Sequence, residues 1–555
     1  MQHLINSPQQ NCMHERPTTR PPGILRMMLG GSKSVAYNAY HAIQTRISEL
    51  ELQLENNPQQ QDILSDLGDL YLQINSYDEA EYMFSLLQHA YPKEISGYIG
   101  LVNVHLHRGT LEAAAHKAQQ AVQLFPNSPK ILAAYGAALF LMADYQRACS
   151  YYEKASLLST PPPAWILSAH GLVLQTLGRL HDAKDLLERA TVLDPSNGNA
   201  WVNLGLVLSD LGNYTSAIQC YDRALMLSPG DEAARLNKAL ALLTIGDFRR
   251  GWREYEARWT KLDVQQTFHQ PLWSGQRLRS ESLIVYGEQG LGDEIMFSSC
   301  IPDVLLLVSC LFIECDDRLY TLFVRSFPQA TVVSRSMTQE VNWKSRICST
   351  DFQIPMGSLP LHFRDSIDQF GRSLSYLKAD PKRVCLWKKV LDQLGNNPKI
   401  GVSWRGGTTF SHRERRSIPL AEFQPILQTP GYIFVNLQYD TTNEELAAIE
   451  KTTGLTIHNY PDALSNYDET AALVKTLDLV ITVQTAVAHL AGALGCATWI
   501  MLPFSPEWRY GAQGTTMPWY PSMRSFRQIS RGNWTEVIED VAACLNTQFG
   551  LRMEG

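Results

Sequence analysis

Residues suited to phosphate binding lie in one short stretch, 480–495, which reads V-I-T-V-Q-T-A-V-A-H-L-A-G-A-L-G. Its β-branched start, 480–483, predicts a buried parallel strand, and the small residues after the turn at Gln484 and Thr485 predict a helix. The first N–H groups of a helix have no partner inside it and attract anions. Thr485 and His489 add hydrogen-bond donors, so the stretch predicts a phosphate site. The alternative is an ordinary β-α unit in which Thr485 only caps the helix.

Two further loops combine glycines with charged residues directly after predicted strands. The loop 287–294, G-E-Q-G-L-G-D-E, permits a sharp turn and has Asp293 where a helix begins. Its G-x-x-G-x-G spacing matches a dinucleotide-binding fingerprint only loosely. The loop 405–420 reads R-G-G-T-T-F-S-H-R-E-R-R-S-I-P-L. Because ligands of open parallel sheets bind beyond the carboxyl ends of the strands, we expect these loops to gather on one side.

The elements that must position these loops form an alternating pattern of strands and helices after Trp273, which predicts parallel α/β sheets. The segment 351–360 is predicted to be extended and then a loop. Two lobes that each begin with a strand and a glycine loop predict a ligand in the cleft between them. The predicted strands are 282–286, 311–314 and 331–333 in the first lobe, and 399–404, 433–438, 455–458, 477–483 and 499–502 in the second.

The first half of the chain repeats with a period near 34. One alanine column recurs at intervals of 34, 34, 35 and 34 residues, and tyrosine, leucine and proline columns keep the same register. The pattern resembles the tetratricopeptide repeat, with two antiparallel helices per unit. It predicts about five repeats from Asp62 to Asp231, a degraded sixth copy, an extra helix over 34–55, and a charged helix over 249–259 that caps the array and joins it to the next domain. The alanines are Ala80, Ala114, Ala148, Ala183 and Ala217.

Repeat arrays have grooves that usually bind peptides or partner proteins, so a protein partner is expected here. The alternative is an array that only stabilises or oligomerises the chain. A net charge of −7 in 555 residues argues against a nucleic-acid footprint. Ten cysteines without a CxxC pair indicate reduced thiols of a cytoplasmic protein, and the apolar run 304–313 is too short to cross a bilayer.

These observations predict an all-α repeat solenoid followed by two Rossmann-like lobes. The expected divisions are a disordered segment at 1–33, rich in Gln, Asn, Pro and Thr, a repeat array at 34–270, and lobes at 271–395 and 396–555.

The second half resembles the GT-B glycosyltransferases, specifically the heptosyltransferase-like family 9, over roughly residues 272–545. The resemblance is carried by G-L-G-D-E, by G-V-S-W-R-G-G with R-R-S-I-P-L, and most specifically by T-A-V-A-H-L-A-G-A-L-G. The layout of repeats followed by GT-B lobes is also similar to the protein O-GlcNAc transferases. The resemblance implies a nucleotide diphosphate sugar as co-substrate, inversion at the anomeric carbon, and no metal or other cofactor.

It also implies roles for single residues. Asp293 matches the proposed catalytic base, the alternative being a helix N-cap, and His412 is a weaker candidate base. Arg416 matches the residue that meets the donor phosphates, the alternative being a solvated charge run. The remaining candidates for donor contact are Arg405, Arg415, Thr485, Ala486, Val487 and His489, with Trp508 and Arg509 at its border unless Trp508 is core.

One position departs from the family. Gln484 stands where an aspartate usually precedes the Thr-Ala pair, and the amide keeps hydrogen-bonding capacity but loses the charge. The prediction is therefore an inverting, metal-independent glycosyltransferase whose repeats recruit the acceptor. The alternatives are a protein O-linked glycosyltransferase and a non-catalytic repeat scaffold with a degenerate nucleotide-sugar-binding domain.

Overall fold

The computed structural model describes residues 36–56, 60–261, 268–337, 343, 349–407 and 413–550. The predicted disordered segment 1–33 lies outside them. The first part is entirely helical, as predicted. Its helices are α1 (Ala36–Asn56), α2 (Gln61–Gln73), α3 (Tyr77–Ala90), α4 (Ile95–Arg108), α5 (Leu111–Leu124), α6 (Pro129–Leu141), α7 (Tyr145–Leu157), α8 (Ala164–Thr176), α9 (Leu180–Leu193), α10 (Gly198–Asp210), α11 (Tyr214–Leu227), α12 (Glu232–Thr244), α13 (Phe248–Tyr255) and α14 (Arg258–Lys261).

Small residues allow the paired helices to approach closely. Every member of the predicted alanine column is fully buried on the second helix of its pair. A second column places glycines on the first helix opposite large side chains sixteen positions later. A Cβ at Gly68 would lie 2.5 Å from the Phe84 ring, and one at Gly136 would lie 2.9 Å from the Tyr152 ring. The residues that recur with the repeat period are therefore those that contact each other between neighbouring helices.

The described helices and strands divide into two compact units. The first holds the helices up to Val207 together with 220–231, and the second holds 208–219 and everything from Glu232 onward. In the second unit Trp252 of α13 is buried and donates a hydrogen bond from Nε1 to the carbonyl oxygen of Arg364, at 2.7 Å. The single helix predicted over 249–259 is present as two shorter helices, α13 and α14, and α13 packs on the α/β region. The predicted boundary at 270/271 was placed where the helical repeat pattern ends, and it stays a prediction.

The α/β region contains two sheets with helices between their strands. The described helices here are α15 (Leu291–Phe297), α16 (Ile301–Leu305), α17 (Tyr320–Ser326), α18 (Pro360–Phe363), α19 (Pro381–Asp392), α20 (Gln424–Leu427), α21 (Asn443–Thr453), α22 (Pro461–Ser465), α23 (Tyr467–Lys475), α24 (Ala486–Ala493) and α25 (Thr535–Gly550).

The first sheet has the strand order β3-β2-β1-β4 and is parallel throughout. Buried apolar side chains lie on both faces of its strands, as is usual for a parallel sheet. The segment 351–360, expected to be extended, contains a true strand followed by short helical turns. The strands are β1 (Leu278–Tyr286), β2 (Val308–Cys315), β3 (Thr331–Ser334) and β4 (Phe352–Pro355).

The second sheet has the order β10-β11-β9-β8-β5-β6-β7, with only the β10–β11 pair antiparallel. Its five predicted strands are present with bounds moved by one or two residues. The strands β10 and β11 were not predicted, because proline and arginines interrupt the apolar pattern of β11. The strands are β5 (Lys399–Ser403), β6 (Ile433–Asn436), β7 (Ile457–His458), β8 (Leu479–Thr482), β9 (Thr498–Leu502), β10 (Thr516–Met517) and β11 (Tyr520–Arg527).

Across the described residues, no helix combines the length and apolar character needed to cross a membrane.

Candidate functional site

The predicted strand-to-helix junction is present between β8 and α24. Thr485 has extended backbone angles and its hydroxyl accepts a hydrogen bond from the N–H of Val487 at 3.1 Å. Thr485 is therefore the helix cap, which was the alternative prediction for this residue. A cap and an anion site are compatible, because both lie where the first N–H groups of the helix emerge. Ala486 begins the helix, and Val487 is buried.

Gln484 lies just before this cap and is only 4% exposed. Its side-chain Nε2 has no hydrogen-bond partner among the described residues. A buried amide nitrogen without a partner costs about 1–3 kcal/mol, so such groups are uncommon in folded proteins. The amide therefore offers a donor to a ligand at this point.

Two glycines bring the other predicted loops against this junction. A Cβ at Gly406, in the loop after β5, would overlap the carbonyl oxygen of Gln484. A Cβ at Gly292, in the first turn of α15, would lie 3.0 Å from the His489 ring. A side chain at Gly406 would force backbone to move, and one at Gly292 would push the His489 ring aside by a few tenths of an ångström. The three loops predicted to gather at the strand ends therefore do meet.

Four charged side chains form a continuous ion chain beside these loops. Asp293 Oδ1 pairs with Arg509 Nη2, and Arg509 Nη1 pairs with Glu507 Oε2. The other Glu507 oxygen, Oε1, pairs with Arg416 Nη1. We name Asp293, Arg509, Glu507 and Arg416 the ion chain. The arginine side chains are 12% and 9% exposed, and charges this buried require partners.

The ion chain argues against two alternatives left open by the sequence, a helix N-cap at Asp293 and a solvated charge run at Arg416. Gly290, not Asp293, is the N-cap of α15, and Asp293 lies in the first turn with its side chain on Arg509. Arg416 is buried in a short 3₁₀ turn, whereas Arg413 and Arg415 are more than a third exposed. Burial, together with the charge of Arg509, lowers the pKa of the Arg416 guanidinium. Arg416 is thus not part of a solvated charge run.

Arg405 and Arg415 do not join the ion chain. Arg405 donates to Glu445 at 2.5 Å and lies 3.3 Å from Asp440. Arg415 lies 3.5 Å from Asp210 in α10. The structure thus separates three arginines that the sequence grouped together. The candidate base His412 lies outside the described residues.

His489 is held between two tyrosines that the sequence analysis did not single out. Its Nδ1 lies 3.0 Å from the hydroxyl of Tyr520, and its Nε2 lies 3.3 Å from the hydroxyl of Tyr510. Burial, together with the charge of Arg509, lowers the pKa of His489 well below its usual value, so the ring is neutral. An anion contact from His489 would require the loss of one tyrosine bond.

Trp508 belongs to the core. It is 9% exposed, and its ring packs edge-on against Trp252 with centroids 5.4 Å apart. The guanidinium of Arg509 lies 5.1 Å from the Trp508 ring centroid, a cation–π distance. The sequence had pointed to the loop after β9, but nothing in it distinguished Glu507, Tyr510 or Tyr520 from other polar residues.

An open cleft of about 660 Å³ lies beside the loop after β5. Ser417 and Ile418, which directly follow Arg416, line one side, and Ala448 and Ile449 of α21 line another. The charged residues that line the cleft are Arg405, Glu414 and Glu445. This mixture of apolar wall and polar edge suits a flat heterocyclic ring.

Comparison with known proteins supports the repeat assignment. The tetratricopeptide repeat family matches residues 168–232 and 205–259. Protein FlbA of Caulobacter vibrioides is 34% identical over 314 residues, which cover 53% of this chain and 52% of FlbA. The chain thus spans about half the length of this curated relative.

Three solved structures match part of the chain at low sequence identity. The Cut9–Hcn1 assembly of the APC/C has a TM-score of 0.37 and 18% identity over 41% of this chain and 44% of its own. Yeast Tom70 has a TM-score of 0.31 and 17% identity, over 40% of this chain and 44% of Tom70. TTC0263 of Thermus thermophilus has a TM-score of 0.31 and 21% identity, over 33% of this chain and 100% of TTC0263. The tetratricopeptide repeat match and the described helices and strands show an all-helical repeat region followed by an α/β region with parallel sheets.

Proposed function

We propose that this chain is an inverting, metal-independent glycosyltransferase of the GT-B type, which takes a sugar from a nucleotide diphosphate donor. The observation that carries the proposal is the pair of buried arginines, Arg416 and Arg509, beside the cap of α24 and the unpartnered amide of Gln484. Buried guanidinium groups next to a helix start favour an anion with several oxygens.

The chemistry assigns a part to each group. The acceptor hydroxyl attacks the anomeric carbon on the face opposite the departing diphosphate, and Asp293 takes its proton. Negative charge grows on the leaving diphosphate as the bond breaks. Arg416, Arg509 and the first N–H groups of α24 stabilise that charge where no metal does so.

The donor's nucleoside would lie in the cleft lined by Ser417, Ile418 and Ala448. Its apolar wall would pack against the base, and Gln484 would hydrogen-bond a sugar or phosphate oxygen. The repeats would recruit the acceptor, because repeat arrays present extended surfaces to proteins and peptides. Where the acceptor is itself a polypeptide, the chain is a protein O-linked glycosyltransferase.

A second candidate is a repeat scaffold whose α/β region binds a nucleotide sugar without turnover. It is favoured by Gln484, which stands where the glycosyltransferase family that the second half resembles usually has an aspartate, and by Asp293, whose carboxylate is already bonded to Arg509.

The test of binding uses the full chain with UDP, GDP, ADP, dTDP and CDP in the presence of a chelator, followed by calorimetry. Loss of one charge-assisted contact costs about 1.5–3 kcal/mol, so Arg416→Ala is expected to weaken the best diphosphate by roughly 10- to 100-fold. Arg415→Ala is the matched control, since this neighbouring arginine pairs with Asp210 and is expected to change binding by less than about threefold. A folded protein that binds none of the five would overturn the proposal.

The test of turnover uses the sugar conjugate of the nucleotide so identified. Asp293→Asn is expected to abolish donor hydrolysis and transfer while diphosphate binding remains. Wild-type protein that binds donor without any turnover would instead establish the scaffold. Labelling of a polypeptide, as opposed to a glycan or lipid fraction, would identify the protein glycosyltransferase.

A further inference from the structure

Glu507 has an unusual position among the charged groups of the second unit. Its two carboxylate oxygens bond to two different arginines, Oε1 to Arg416 and Oε2 to Arg509. A phosphate group bridges a pair of arginines in the same way, with one oxygen on each guanidinium. Glu507 therefore has the geometry of a bound anion supplied by the protein itself.

The charges of the ion chain support this comparison. Two carboxylates alternate with two guanidinium groups, so the chain as a whole is neutral. An incoming diphosphate would meet arginines whose contacts are already taken. Strong binding then requires one of the carboxylates to leave.

The surroundings indicate which carboxylate can leave. The side chain of Glu507 is 31% exposed, whereas those of Arg416 and Arg509 are 9% and 12% exposed. Arg509 is also held by Asp293 and by the ring of Trp508, so it keeps its place without Glu507. Glu507 follows Pro506 in the loop after β9, outside the strand itself. A rotation of its side chain toward solvent would expose both arginines.

We propose that Glu507 occupies the position that the donor's phosphate takes on binding and must be displaced for a nucleoside diphosphate to bind. This inference rests on the proposed function, because it names a residue that sets the affinity of that same site. Glu507 is thus an internal competitor. The alternative is that Glu507 is a brace that positions the two arginines for the ligand, and the two roles predict opposite effects of its removal.

The test measures the dissociation constant of the preferred nucleoside diphosphate by calorimetry for wild type and Glu507→Gln. If the open arrangement is populated to a tenth or less, removal of the competitor tightens binding by about tenfold or more. Glu507→Ala is the second variant and is expected to change the constant in the same direction. Asp303→Asn is the matched control, since Asp303 pairs with the buried Arg364 at 2.8 Å, neither residue belongs to the ion chain, and the variant is expected to leave the constant unchanged.

Each possible result either supports or overturns the role of Glu507 as an internal competitor. Tighter binding in both Glu507 variants with an unchanged control supports the internal competitor. Equal or weaker binding in the variants, with wild type binding well, overturns it and leaves the proposed function standing. If neither wild type nor a folded Glu507→Gln binds any nucleoside diphosphate, both the inference and the proposed function are wrong.

Discussion

Glycines in the two parts of the molecule contact partners at very different distances along the chain. In the repeats the partner is sixteen positions away, as for Gly68 with Phe84 and Gly136 with Tyr152. In the α/β region Gly406 meets Gln484, and Gly292 meets His489. Both regions use glycine at close approaches, where a Cβ would crowd or overlap an atom of the neighbour.

The two regions differ in which elements the close glycine contacts bring together. Close contacts in the repeats join consecutive helices, so each one supports a local pair and recurs with the period. Close contacts in the α/β region join loops that are distant in sequence, and each occurs once. We therefore expect glycine substitutions in the repeats to affect stability, and those in the loops to affect ligand binding.

The largest effect is expected for Gly406→Ala. The new methyl group would overlap the carbonyl oxygen of Gln484, and backbone must move to accommodate it. Such a shift separates the loop after β5 from the cap of α24, and we expect nucleotide binding to weaken by about 100-fold or more, because small misplacements of a site cost roughly that much. Calorimetry measures the change. Gly198→Ala is the control, because a Cβ there would meet no atom of the described residues within 4 Å.

The converse change is Gly100→Ala in α4. Its Cβ would overlap the ring of Phe84, which also packs against Gly68 and is 1% exposed. Overpacking of this kind typically costs about 1–3 kcal/mol, so urea unfolding of the repeats should shift by that amount. Nucleotide binding should remain at the wild-type value. A loss of binding in this variant would contradict the separation of roles.

A third change tests where the nucleoside lies. Ala448 lines the cleft beside Ser417, and its neighbour Ala447 does not, although both are exposed on α21. Ala448→Trp should fill the cleft and weaken nucleoside diphosphate binding by about tenfold, equivalent to roughly 1.4 kcal/mol. Ala447→Trp is the matched control and should bind normally. Equal binding by both variants would place the nucleoside elsewhere.

The smallest effect concerns pH. Buried His489 stays neutral in the folded protein, because its pKa is lowered well below 6.5, whereas the unfolded chain protonates it near that value. The unfolded state then binds more protons below pH 6.5, and the free energy of unfolding falls as the pH drops. The contribution is at most about 1.4 kcal/mol per pH unit.

His489→Gln should therefore flatten the dependence of unfolding free energy on pH between 7 and 5. The exposed His181 provides the control, since His181→Gln should leave that slope as it is in wild type. An unchanged slope in the His489 variant would show that another group governs acid sensitivity.

Much of the architecture could be predicted from sequence. The alanine column predicted the positions of the repeat helices. The apolar runs that alternate with helices predicted most strands of both sheets to within a few residues. The strand β11 was not predicted because Pro521 and the arginines of the strand interrupt the apolar pattern. Pairing with β9 nevertheless buries it on one side. The glycosyltransferase assignment and its acceptor stay predictions.

The sequence by itself determined the period of the repeats and the loops that end the strands, because both depend on residues close together in the chain. Only the tertiary structure decided which charges pair. Arg405, Arg415 and Arg416 lie within twelve positions, yet they bond to Glu445, Asp210 and Glu507 in separate places. Ion pairs between loops depend on distances in space, and these follow from how the sheets and helices pack and not from the order of residues along the chain.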